Sequence, residues 1–184
     1  MAPSRFPTPS QTAGPYVAIG TAWNANGLMV PEGTPDALTV TGRIRDGSGE
    51  PVTDAMAEFW QADAHGRFPP ETSPAWSGFT RALTDESGCY RLLTVKPGRV
   101  PTPGGGLQAP HIDMSIFARG LLQRLVTRIY FPDEGAANAA DPVLASLSQP
   151  LSGRLVARHE AASSAYRFDI WLQGETETVF FAPW

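Results

Sequence analysis

Glycine and proline, 18 residues of each, divide this chain into short apolar stretches. Proline removes a backbone donor and fixes φ, while glycine supplies positive φ at turns. In a chain that is 42% hydrophobic, such spacing punctuates structure rather than abolishing it. Long helices and coiled coils are excluded, and many short strands joined by turns are what remains. A length of 184 residues suits one domain, 1–184, with its core over 37–184. Charged residues make up only 17%, against about 25% in ordinary domains, which points to surface covered by a partner.

Residues 1–36 read as an irregular arm, because Pro3, Pro7, Pro9, Pro15, Pro31 and Pro35 forbid a regular ladder. The arm still carries Phe6, Tyr16, Val17, Ile19 and Trp23. A solvated tail has no use for these groups, so the arm packs on its own domain or across a neighbouring chain. From Leu38 the texture changes to alternation: Leu38, Val40, Gly42 and Ile44 against Thr39, Thr41, Arg43 and Arg45. Further strands are expected over 55–61, over 90–95 after a hairpin-like turn at Asp85–Gly88, and over 111–117, 125–131 and 165–173. Residues 99–110 look too rich in Gly and Pro for any ladder. One short helix is expected within 136–148, with Asp141 capping Pro142. These elements, seven to nine strands, predict an all-β sandwich.

The net charge of −4 and the scatter of basic residues argue against nucleic acid as the main partner. No apolar run reaches membrane-spanning length and no signal-peptide core follows Met1, so a cytoplasmic protein is expected. The single cysteine, Cys89, excludes an internal disulfide and a CxxC metal knuckle and reads as a small buried hydrophobe. Candidate chemistry is sparse. Gly104–Gly106 reads as a flexible turn rather than a phosphate cradle. His111 and Asp113 leave the same face of one strand, as the start of a metal site, an acid–base pair, or a hydrogen-bonded core histidine. Arg128 is either a solvated outer-face residue or an anion-binding or interface arginine. Tyr16, behind Gly14-Pro15, suits a pocket wall and core packing equally.

The ordered series Thr8–Tyr16 (TPSQTAGPY), Glu58–Ala64 (EFWQADA), Thr84-Asp85 with Gly88, Thr94–Gly98 (TVKPG), Ala109–Ile112 (APHI), Ala118–Gly120 (ARG), Thr127–Phe131 (TRIYF) and Arg167–Ile170 (RFDI) resembles the intradiol ring-cleavage dioxygenases over about residues 8–181. More narrowly, it resembles their two-chain, protocatechuate-cleaving branch. The resemblance implies a β-sandwich of mixed sheets and a non-haem ferric site held by two Tyr and two His. It implies insertion of both atoms of O₂ into protocatechuate between its hydroxylated carbons, giving 3-carboxy-cis,cis-muconate. The family's iron-bearing pattern has His-x-His where this chain has His111-Ile112-Asp113. Its tyrosine after Lys-Pro-Gly corresponds to Val100, its arginine before the histidines to Gln108, and 67–83 contain no tyrosine.

The resemblance therefore implies that this is the alpha type of chain, with no catalytic residue or metal of its own. His111 and Asp113 would be a degenerate site, and Fe(III) would be bound by a beta subunit. Thr12, Gly14, Pro15 and Tyr16 would line the partner's substrate pocket, with Arg128 supplying positive charge, in a large alpha–beta hetero-oligomer. Two other readings stand beside it. One is a self-sufficient intradiol catechol dioxygenase using Tyr90 or Tyr130 with His159. The other is a non-enzymatic, transthyretin-like binding module.

Overall fold

A computed structural model describes residues 9–21, 26–70, 76–160 and 164–182. Phe6, Thr8 and Trp23 of the arm lie outside the described residues. Two β-sheets face each other. The first is built on β1 (Ala37–Arg45), which pairs antiparallel with β4 (Cys89–Val95) on one edge. On its other edge β1 pairs in parallel with β10 (Ala165–Arg167) and then β11 (Ile170–Trp171), while β9 (Arg158–Glu160) pairs with β10. The second sheet is antiparallel throughout, in the order β3 (Phe79–Leu83), β2 (Met56–Trp60), β7 (His111–Phe117), β8 (Leu125–Tyr130). The mixed β-sandwich expected from the sequence is therefore present.

The alternation that predicts β1 is its burial pattern: Leu38, Val40 and Ile44 face inward against Tyr90, Leu92, Phe168 and Ile170, while the odd-numbered side chains face out. Across the gap, Ala57, Phe59, Ile112, Met114, Ile116 and Ile129 complete the core. Burying each large side chain contributes about 2 kcal/mol. Gly42 is required by close approach. A Cβ there would stand 1.9 Å from the Phe168 carbonyl oxygen, the same oxygen that accepts the Tyr90 hydroxyl proton at 2.6 Å.

Several local expectations are corrected. The stretch over 165–173 is two strands, because the Asp169 carboxylate accepts the Arg43 backbone N–H at 2.9 Å and interrupts the ladder. The Asp85–Gly88 turn is tight, but its flanking strands do not pair: β3 joins β2 and β4 joins β1, so the turn is a corner between sheets. The 99–110 segment does form a ladder, a small ribbon of β5 (Val100–Pro101) and β6 (Leu107–Gln108). The arm is not wholly irregular either, since α1 spans Pro15–Thr21. The single helix expected within 136–148 is two short ones, α2 (Gly135–Ala139) and α3 (Pro142–Ala145), and a third, α4 (Gln149–Gly153), follows beyond that range. Asp141 caps α3 as expected, accepting from the Val143 and Leu144 amides.

The motif residues with the plainest sequence signature turn out to be structural. Gln61 is buried, donates to the Val95 carbonyl at 2.9 Å and accepts from the Thr94 hydroxyl at 3.0 Å, so WQAD and TVKPG staple the two sheets. Asp63 accepts from the His65 and Arg67 amides and the Arg67 guanidinium, and the Gly98 amide donates to its carbonyl. Lys96 is hydrogen-bonded to Asp133, whose carboxylate also accepts from Tyr166 at 3.2 Å.

Candidate functional site

β7 and β8 run antiparallel in a register that sets His111 opposite Tyr130 and Asp113 opposite Arg128. The β5–β6 ribbon pairs Val100 with Gln108 and delivers Gln108 to the same place. The result is a hydrogen-bonded chain. Arg128 Nε donates to Asp113 Oδ1 at 2.8 Å, and its Nη1 donates to Gln108 Oε1 at 2.6 Å. Tyr130, buried below, donates to Asp141 Oδ1 at 3.2 Å, and Asp141 also accepts from the Ala109 amide at 2.7 Å.

His111 is 4% exposed and its Nδ1 lies 2.7 Å from the Ala109 carbonyl oxygen, which makes that nitrogen the donor. Its Nε2 lies 4.0 Å from Asp113 Oδ2. Burial, reinforced by the Arg128 cation, holds the imidazole below its ordinary pKa, although Asp113 pulls the other way. Burial likewise pushes the Tyr130 phenol up, against the lowering influence of Arg128. This donor set does not fit a ferric ion. Hard Fe³⁺ requires anionic oxygen ligands. The available phenol is held protonated, and the carboxylate at the second histidine's place is already neutralised by a guanidinium. Among the described residues no three His, Cys, Asp or Glu side chains converge as a metal group. The residues of the self-sufficient reading are also dispersed. Tyr90 is buried between the sheets, Tyr130 lies in a second apolar cluster with Leu144 and Leu155, and His159 is exposed on β9 against Tyr166.

The arm residues form a different group. The Gly120 amide donates to Thr12 Oγ1 at 2.7 Å, fastening the arm to the β7–β8 loop. Ala13, Gly14 and Val17 line a small pocket with Asp54, Met56, Phe117 and Arg119, on the outer face of the four-stranded sheet. Arg119 is ion-paired with Asp54. Tyr16 is 80% exposed and Ile19 72%, with exposed Leu122 nearby on the loop that holds the arm. Pro15 opens α1, and its side chain is outside the described residues. Thus the structure brings Thr12 and Gly14 together with Arg119, whereas Arg128 belongs to the Asp113 group. Arg128 stands four residues along the strand from the Arg124 end that the arm reaches, about 13 Å at strand rise. Arg119 was within the ARG motif, but nothing in one sequence separates a pocket cation from a surface one.

A sandwich of one mixed and one antiparallel sheet agrees with comparison to known proteins. The family model described as "Dioxygenase" matches residues 12–174. A dioxygenase domain from Streptomyces sp. SirexAA-E, part of a carbohydrate-binding fusion, superposes with a TM-score of 0.59 at 25% identity, covering 95% of this chain and all of that one. The chain belongs to the intradiol ring-cleavage dioxygenase family. Within that family it is 44% identical to the protocatechuate 3,4-dioxygenase alpha chain of Pseudomonas putida, over 95% of both chains. To the beta chain of the Burkholderia cepacia enzyme it is 34% identical over 78% of this chain and 67% of that one.

Proposed function

We propose that this chain is the alpha subunit of a protocatechuate 3,4-dioxygenase, acting with a beta subunit that holds the ferric ion. The observation that carries the reading is the end-to-end likeness to an alpha chain. The donor set around His111 supports it, because Arg128 has taken the carboxylate that a metal would need. The bound iron of the partner would supply the activation of catechol and O₂. This chain's own contribution would be a wall: Thr12, Gly14, Pro15 and Tyr16, presented on an arm whose Tyr16 and Ile19 are uncovered in the isolated chain. Arg119 is the cation beside that wall. We assign to it, rather than to Arg128, the attraction of the substrate carboxylate. Attraction would be local, since the chain as a whole is negative. In this reading residues 37–184 form the domain. The arm of 1–36 serves the partner only through its earlier part, because the Gly27 and Met29 amides donate to the Arg81 and Leu93 carbonyls of this chain's own sandwich. The complex works in the cytoplasm as a larger hetero-oligomer.

The test is iron analysis and a visible spectrum on this chain alone and on its complex with a beta chain. A colourless, iron-free chain and a red complex that cleaves protocatechuate are expected. Stoichiometric iron with tyrosinate colour in the lone chain would refute the reading. In the complex, Tyr16→Ala is expected to lower turnover at least tenfold with iron content unchanged, and normal turnover would remove the arm from the pocket wall.

A further inference from the structure

The turn that follows β7 presents Arg119. The Leu121 amide donates to the Ala118 carbonyl at 3.3 Å and Gly120 takes φ 84°, so Arg119 and Gly120 are the two central residues of a tight turn. The Gly120 amide ties that turn to Thr12 of the arm, but a backbone bond leaves the long Arg119 side chain free to swing. Asp54 meets it from the neighbouring strand. β2 and β7 pair Met56 with Phe117, and the same antiparallel register carried two residues further sets Asp54 opposite Arg119. Asp54 also stands on fixed backbone. The amide of the next residue, Ala55, donates to the buried Thr84 hydroxyl at 3.0 Å, and the Thr84 amide returns to the Ala55 carbonyl at 2.9 Å.

The contact between the two is one-sided. Arg119 Nε donates to Asp54 Oδ2, and neither Nη nitrogen has a hydrogen-bond partner among the described residues. A guanidinium offers a carboxylate more than one edge, and the edge between the two Nη nitrogens is left open here. Arg128 differs: its Nε is on Asp113 and its Nη1 on Gln108, so the corresponding edge is already entered. The Arg119 and Asp54 side chains are 75% and 34% exposed, so their pairing adds little to the stability of the fold. The same solvent screens much of the charge that Asp54 cancels, and what remains of its effect is orientation. The pair lies at the rim of an apolar floor of Met56, Leu83 and Phe117, with Ala13 and Gly14 of the arm beside it.

We propose that Asp54 is a positioning residue: by holding Arg119 Nε it keeps the Nη1–Nη2 edge turned to the substrate carboxylate, and so sets the preference for a catechol that carries one. Asp54 does not touch the substrate and acts only through Arg119. The gain is preorganisation, since an arginine already held in place loses less side-chain freedom when the anion binds. A carboxylate beside a pocket cation would otherwise oppose an anionic substrate, which makes the direction of the effect a test of the role. The inference rests on the proposed function for the part given to Arg119.

The experiment titrates the alpha–beta complex calorimetrically with protocatechuate and with catechol under nitrogen, and measures KM and kcat in air. Asp54→Ala should weaken protocatechuate binding about three- to tenfold, the order expected for immobilising one long side chain, and catechol binding by less than about twofold. The loss should appear in Kd and KM rather than in kcat. Asp54→Asn, whose amide oxygen can still accept from Nε, should recover most of it. In an Arg119→Gln background, Asp54→Ala should add nothing, because its effect passes through the guanidinium. Unchanged protocatechuate binding in Asp54→Ala overturns the proposal. Tighter binding does so too, since Asp54 would then only dampen the cation. Equal weakening of catechol, or an additive loss in the double variant, makes the role structural and overturns it as well. Wild-type affinity in Arg119→Gln removes the cation and the inference with it. A wild-type complex that binds protocatechuate without cleaving it would instead count against the proposed function and leave the affinity comparison readable.

Discussion

Replacing Arg128 by methionine isolates the charge that stands where a metal-binding pattern has failed. In the native chain the guanidinium neutralises Asp113 at 2.8 Å and adds to the burial that keeps His111 neutral. Removing it leaves Asp113 Oδ2 facing His111 Nε2 at 4.0 Å. Loss of the guanidinium removes its lowering influence and leaves the Asp113 attraction, present in both proteins, opposed by burial alone, so the His111 midpoint should rise. The sign follows for stability. Native His111 titrates below its unfolded value of 6.5, so the fold loses stability as pH drops through 6.5 toward the folded midpoint. In Arg128→Met that loss should shrink or reverse, on top of a pH-independent cost of about 2 kcal/mol for breaking a half-buried pair. Histidine C2-hydrogen exchange read by mass spectrometry resolves His65, His111 and His159 separately, and denaturation at pH 5 and pH 8 gives the stability difference. A His111 midpoint that stays or falls in the variant would refute the assignment of Arg128 as the local cation.

Two further substitutions test the scaffold. Gly42→Ala should cost about 3 kcal/mol or more, because the new methyl meets the Phe168 carbonyl and the Tyr90 ring, and a denaturant midpoint close to wild type would contradict the close approach. Asp141→Ala should cost roughly 3 kcal/mol in the same assay. It strands the Ala109, Val143 and Leu144 amides and the Tyr130 hydroxyl, whereas Asp141→Asn, able to keep some of these bonds, should cost less.

Much of the fold is legible along the chain because its causes are local. The alternation over 37–45 and 111–117 is the pleat of β1 and β7 written in hydrophobicity, and Asp141-Pro142 is a cap that needs only its own next three residues. The donor types around His111 are legible too, since Asp113, Val100 and Gln108 differ in kind from the residues the family pattern requires. What sequence does not carry is which local piece meets which. The Asp85–Gly88 turn has hairpin chemistry, yet its strands part into different sheets, because pairing is decided by where each apolar face is buried rather than by the turn. The Gly- and Pro-rich 99–110 segment pairs because its ends are held, by Asp63 at Gly98 and by Asp141 at Ala109. Arg119 and Arg128 are indistinguishable as residues in apolar surroundings. Only the β7–β8 register and the Thr12–Gly120 contact send one to Asp113 and the other to the arm. Sequence by itself determined the sandwich, its caps and the donor types present. Tertiary structure alone decided which charges share a surface, because electrostatic neighbours are set by distance across strands and not by separation along the chain.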